Sequence, residues 1–598
     1  MARSGPRDVA GDPAAVMWRV DVQSSGSASV GESAALAVSP SVGVAHRTWL
    51  SRQADLVAIL AVSFGLGLYQ IDWGLPNGNA SWAADALGPL TVLSIARRSV
   101  GIWNSGWFYF KYPLGYPLVL LSAYAPFLAL QLLTGDLRHP QATYPYGFSD
   151  PETSLYVMAL LGRVVSALAI TATVGFTFDI GRRLFSRAAG VLAAAFAATA
   201  YPLVYYAHTS NLDATFLFWQ VLALWATVAA AQSGRPWTYA VLGAAAAMAV
   251  STKEQAFALL LPLPVIVVLW RRRLLRDGRH PWREAIWNRG ALAGILAVAA
   301  TLVLVNNVLW NPGGFVNRIL YLSGESIPGV SARLAPVEFA LFKGVAKEYT
   351  YAAQLFDAVE SSLGWPLLVM VFVGVCFTLA TRPGAALLLL TPPVAHYYLS
   401  LRALDLITLR YALPLLIIGS LYAGALCAAL LASRYRAASM VLVGALCVLG
   451  LARAVELDLL LRDDSRYHAE AWMRDHAPAG SRIEVYQKAA YVPRFPGFKV
   501  DTVRLAERTI EGVEARRPAY IVTSSAARMG ITHRWNPDWR QGNTLLVGAP
   551  RAVELLNALQ EGRLPYREVA RFSRTPTLLR MRITSLCPEI TIYERAVL

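Results

Sequence analysis

The sequence is poor in cysteine, with 4 among 598 residues. Cys376, Cys427 and Cys447 lie inside apolar runs and Cys587 stands alone near the end, which excludes a disulfide framework and any zinc-ligand spacing. Charge is also scarce. Asp, Glu, Lys and Arg make up 15% against 56% hydrophobic residues, so a purely soluble chain is excluded. Acids are the rarer sign, 38 against 54 bases, giving a formal charge of +16. In a soluble chain that excess would suggest nucleic acid. Here the bases crowd between apolar runs, where they set membrane orientation, and no nucleic-acid motif is present. A nucleotide-binding glycine pattern, a nucleophile elbow, a repeat period and an acidic metal cluster are missing as well.

What is present is a polytopic pattern. Residues 1–52 read as a disordered cytoplasmic tail without a signal peptide. Apolar runs at about 55–71, 154–180, 188–206, 212–231, 236–252, 255–270, 289–309, 365–381, 383–400, 411–431 and 437–455 predict eleven transmembrane helices. With Arg47 and Arg52 inside, this alternation also puts Arg182, Arg183, Arg187, Arg235, 271–284, Arg434 and Arg436 inside. A further run, 113–133, would reverse that parity. It is therefore expected to enter the membrane only partly and return, its prolines at 113, 117 and 126 suiting a broken helix. Residues 72–153 then form one outer segment, and 311–363 an outer loop with surface helices. From about 456 the texture is that of a soluble α/β domain, with helices expected over 466–477, 502–516 and 551–561. Strands are expected at RIEVYQ (482–487), AYIVTSS (519–525), EVARF and EITIYER. The domains are thus 1–52, 53–455 and 456–598. The fold class is mainly α and polytopic, with a C-terminal α/β domain outside.

The stretch Ser81–Pro117, SWAADALGPLTVLSIARRSVGIWNSGWFYFKYPLGYP, sets an acid, an arginine pair and a lysine among aromatics beside the first span. His208, Asn211 and Asp213 (YYAHTSNLDATFLFW), Lys253 and Glu254 (STKEQA), and Arg402, Asp405, Arg410 and Tyr411 (LSLRALDLITLRYALP) fall on the same predicted side. Each alone reads equally well as a solvated loop residue. Charges near hydrocarbon cost about 2–3 kcal/mol each, so several at one depth suggest a shared wet cavity. Moving a sugar off a lipid phosphate needs a carboxylate to take the acceptor's proton and cations to hold the departing phosphate. Asp85 fits the base, and Asp213 an orienting carboxylate. Lys111, Lys253, Arg410 and Tyr411 fit the phosphate, while His208, Asn211 and Glu254 fit the acceptor or sugar.

These motifs resemble the GT-C superfamily of polyprenyl-phosphate-dependent glycosyltransferases, in the branch of protein O-mannosyltransferases and lipid A aminoarabinose transferases. The similarity runs over roughly residues 55–430, through Asp85, FKYPLGYP (110–117), LLGRVVSALAITATVGFTFDIGRRLF (160–185), SNLDATFLFW, STKEQA and LRYALPLL. It implies an inverting, metal-independent hexosyl or pentosyl transfer at the periplasmic or extracellular face of the cell (inner) membrane. The donor would be a polyprenyl-phosphate sugar, the acceptor an exported glycan, lipid or protein, and Asp85 the acid-base position. No further cofactor is implied. The chain departs from the family where Ala84-Asp85-Ala86 replaces Pro-Asp-Glu and Tyr112 replaces a proline. Two other classes remain. A transporter or flippase of lipid-linked glycans would need ionisable groups at mid-span, of which Arg163 and Asp179 are the conspicuous ones. A non-catalytic cell-envelope assembly factor would act through the outer domain.

Overall fold

The computed structural model describes residues 53–76, 82–83, 86–100, 113–141, 143–278, 280–326, 343–403, 407, 409–525, 550–580, 583 and 585–596. Among these, all eleven expected runs are helical. In chain order the helices are α1 (Ala54–Leu68), α2 (Pro89–Val100), α3 (Gly115–Thr134), α4 (Pro151–Leu184), α5 (Arg187–Ala198), α6 (Tyr201–Ala207) and α7 (Leu212–Ser233). They continue as α8 (Pro236–Thr252), α9 (Ala256–Leu260), α10 (Pro262–Leu274), α11 (Pro281–Ile286), α12 (Arg289–Val305) and α13 (Pro312–Leu322). The remaining bundle helices are α14 (Val345–Leu363), α15 (Trp365–Thr381), α16 (Pro383–His396), α17 (Leu409–Leu431) and α18 (Arg436–Arg462). By length and composition 6 of the described helices can cross a bilayer, or up to 8 if the pairs α5–α6, bent by 62°, and α14–α15, bent by 113°, each count as one. These are integral-membrane dimensions.

Charged groups mark the two ends of the bundle. At one end Arg187 pairs with Asp55 at 2.6 Å, Arg183 donates to Gln232, and Arg382 donates to the Leu184 carbonyl at 2.9 Å. At the other end lie the C-termini of α1, α6 and α8 and the N-termini of α7 and α17. There Arg163, wholly buried, donates to the carbonyls of Ile71 and Trp73 at 2.5 and 2.8 Å. Those carbonyls follow the end of α1 and have no helical partner, and the guanidinium supplies one.

The expectation of a broken helix over 113–133 is corrected: α3 is continuous through Pro126. Pro117 falls in its first turn, where a missing N–H forfeits no bond. Its first half packs at the Arg163 end, and its 20 residues are themselves long and apolar enough to cross a bilayer. A side chain at Gly115 would come within 2.4 Å of the Ser251 carbonyl, so only glycine lets α3 start against the end of α8. Further along, Leu120 and Tyr124 pack on Gly162 beside Ser210. Helix α2 buries Val92 and Ile95 in the protein.

Past α18 the chain forms α19 (Ser465–His476), α20 (Ile510–Arg516) and α21 (Pro550–Gln560) with β1 (Arg482–Val485), β2 (Lys499–Thr502), β3 (Tyr520–Ser524), β4 (Tyr566–Phe572) and β5 (Ile590–Arg595). The sheet order is β2-β1-β3-β5-β4, parallel from β2 to β3 and antiparallel from β3 to β4. The helix expected over 502–516 is shorter, because Thr502 completes the edge strand β2 and Thr509 caps α20 through the Gly512 N–H. Strand β2 escaped notice because its four residues show no apolar alternation.

This domain is fastened to the Arg163 end. Asp464 accepts from the Trp73 indole and, through both oxygens, from Arg466; all three are fully buried. The Arg466 guanidinium lies over the rings of Trp82 and Trp73 at 4.2 and 5.4 Å. Arg494 clasps Glu470, which pushes its guanidinium pKa up, and also donates to the Leu75 carbonyl. The strand connection from β4 to β5 returns to the bundle. Glu456 of α18 accepts from the backbone N–H groups of Thr577, Leu578 and Leu579, and the buried Cys587 thiol donates to the Leu460 carbonyl. Removing the acid from a buried pair strands the cation at a cost of about 3–5 kcal/mol, against less than about 1 for an exposed pair. Asp464→Ala should therefore lower the melting temperature in detergent by many degrees and open the β4–β5 connection to proteolysis. Breaking the exposed Arg571–Glu568 pair should do neither.

Candidate active site

Helix α8 ends at Thr252, and the chain turns to extended backbone at Lys253 before α9 begins. That turn points the Lys253 ammonium back among the helix ends. It donates to Asp213 Oδ1 at 2.7 Å, with both side chains almost fully buried. Asp213 occupies the first turn of α7, where Asn211 caps the helix by accepting the Asp213 N–H at 3.0 Å. On its other side the ammonium stands 4.0 Å from the Tyr411 ring centroid and 5.3 Å from that of Phe216. Arg410, adjacent on the first turn of α17, lies over the same tyrosine ring at 5.1 Å. Asp213 Oδ2 is buried and has no hydrogen-bond partner among the described residues.

The fold thus brings Asp213, Lys253, Arg410 and Tyr411 together from three chain segments. Glu254 turns away to pair with Arg318 of α13. His208 lies apart from the ion pair in its contacts, its ring nitrogens facing the carbonyls of Val204 and Tyr69 at 2.8 and 2.6 Å, with Asp458 at 3.7 Å. Asn211 is a cap. Arg402 pairs with Glu348 instead of joining the cluster. Asp85, Lys111 and Asp405 lie outside the described residues. The first outer segment nonetheless reaches this place, since the Leu87 N–H donates to the Ser210 carbonyl at 2.9 Å and Ser210 Oγ donates back to the Leu87 carbonyl.

Sequence reasoning missed His396, buried at the end of α16 with Nε2 on the Tyr411 carbonyl at 3.1 Å. A lone histidine closing an apolar run was the available signal. It also missed Phe216 and Arg318, whose roles depend on contacts across the bundle.

Residues 157–310, about a quarter of the 598, match the family described as dolichyl-phosphate-mannose-protein mannosyltransferase, and the matched stretch contains Asp213 and Lys253. The match supports a membrane glycosyltransferase of the GT-C superfamily. No curated protein matches the chain in sequence. Solved structures similar to this chain include the archaeal oligosaccharyltransferase AglB from Archaeoglobus fulgidus in complex with an inhibitory peptide and a dolichol-phosphate. That similarity has 10% identity, covers 92% of this chain and 89% of that one, and has a TM-score of 0.41. ArnT from Cupriavidus metallidurans bound to undecaprenyl phosphate gives 14% identity, 81% and 94% coverage and 0.37. The arabinofuranosyltransferase AftD from Mycobacteria gives 15%, 91% and 42%, and 0.35. At TM-scores under 0.5 these likenesses add nothing to the family match.

Both members of the Asp213–Lys253 pair are too buried to be solvated singly. Lys253→Met should cost about 3–5 kcal/mol by stranding the carboxylate. Adding Asp213→Asn should recover part of the loss, because no lone charge then remains. Thermal melting of the two single variants and the double variant measures this coupling; additive losses would show that the two side chains do not act as a pair.

Proposed function

We propose that the chain transfers a sugar from a polyprenyl phosphate to an exported glycan, lipid or protein acceptor on the non-cytoplasmic face of the membrane. The observation that carries this reading is the buried cluster of Asp213, Lys253, Tyr411 and Arg410 at one end of an apolar bundle. It offers two cations to an anionic lipid headgroup, and two of its members fall in the matched family segment. In the proposed step an acceptor oxygen attacks the anomeric carbon, the bond from that carbon to the phosphate oxygen breaks, and the configuration inverts. Asp85 takes the acceptor's proton. Lys253 and Arg410, with Lys111, hold the departing phosphate, so the step calls on no divalent ion. Support for Asp85 comes from sequence, two residues before the Leu87 that is bonded to Ser210.

The arginine-rich end that holds Arg183, Arg187 and Arg382 faces the cytoplasm in this reading, and the C-terminal domain lies outside with the site. A transport path loses much of its support, because Arg163 is committed to the carbonyls of Ile71 and Trp73, and Asp179 to Arg182, Arg183 and Trp225.

Asp85→Asn should lower sugar transfer by about 10²–10⁴-fold while the protein inserts and melts normally. Unchanged transfer removes Asp85 as the base. The glycan, lipid or protein that loses a sugar in a deletion strain identifies the acceptor for that assay. Cysteines placed at positions 140 and 275 should react with an impermeant maleimide from opposite sides of the membrane; reaction of both from outside would overturn the orientation.

A further inference from the structure

His396 has an arrangement that the proposed step leaves unused. It is fully buried, and a single π-helical turn, Tyr397–Leu401, follows it immediately. Such turns recur at functional sites because they re-aim side chains at the cost of regular helix bonding. Its Nε2 meets the Tyr411 carbonyl, and a carbonyl only accepts, so this nitrogen carries the proton. In a neutral ring Nδ1 is then a bare acceptor, and no donor among the described residues meets it. The residue it holds, Tyr411, is the one whose ring covers Lys253. A buried acceptor this near the ion pair, left without a donor, is costly unless a ligand supplies one. An ionised phosphate oxygen cannot, because it has no hydrogen to give. A hydroxyl can.

Resting on the function proposed above, we propose that His396 reads the sugar of the lipid donor: Nε2–H anchors Tyr411 while Nδ1 accepts a hydrogen bond from a sugar hydroxyl. Two substitutions separate the two nitrogens. His396→Gln sets an amide N–H where Nε2 was and removes the acceptor; His396→Asn sets an amide oxygen near the place of Nδ1 and releases Tyr411.

The test is binding of bare undecaprenyl phosphate, and of undecaprenyl phosphate carrying mannose, glucose or arabinofuranose, to the purified full chain and both variants. The wild type should prefer one glycosylated lipid over the bare one. The Gln variant should bind the bare lipid unchanged and the preferred glycosylated lipid about tenfold more weakly, and the Asn variant should recover most of that preference. The proposal falls if the Gln variant keeps the sugar preference, if the wild type has none, or if the Gln variant loses bare-lipid binding equally, which would make His396 a structural support only. Failure of the wild type to bind any of these lipids would instead bring down the functional reading itself, and this inference with it.

Discussion

A charge enclosed in an apolar bundle has to be answered by an opposite charge or by backbone carbonyls, because water is not there to do it. Most of this architecture follows from that requirement. Arg163 answers the open carbonyls after α1, and Arg453 those of Ser361 and Ser362 at the end of α14. Asp464 and Arg466 answer each other under the indoles of Trp73 and Trp82. Lys253 and Asp213 do the same among the ends of α7, α8 and α17. Except for Asp464 with Arg466, which are near neighbours in the chain, each pairing joins segments distant in sequence, and each sits at the same end of the molecule. The opposite end keeps its arginines in looser, more exposed pairs such as Arg187 with Asp55.

The C-terminal domain shares in this arrangement. Its sheet has its own core around Ile483, Val485, Val522 and Ile592, yet Leu579, Leu586 and Cys587 belong to the core of the bundle. Burial pushes the Cys587 thiol pKa up, in keeping with a small side chain that packs and does not react. Glu456 ties the β4–β5 connection to α18 through three successive N–H groups, and Arg466 and Arg494 of the domain lie over the Trp82 ring.

Much of this was legible in the sequence, and for definite reasons. Apolar runs of adequate length have no alternative to helix in a bilayer, so all eleven appear as helices. The strands around Ile483, Ile521 and Ile592 alternate or run apolar enough to announce themselves. What misled was proline in 113–133, where one of the three falls ahead of the helix, one in its first turn, and only Pro126 inside it. The partners of His208, Asn211 and Glu254, a carbonyl, a helix N-terminus and Arg318, were not legible because they come from other segments or from local capping.

The sequence by itself determined that the chain is a helical membrane protein with a small α/β domain at its end, because hydropathy and charge act locally along the chain. It also set which ionisable side chains fall at the ends of the apolar runs. Only the tertiary structure decided which of them meet. Whether Lys253 meets Asp213, Glu254 meets Arg318, or His396 meets Tyr411 depends on how helix ends far apart in sequence come to one place, and a buried charge takes the partner that the packing brings nearest.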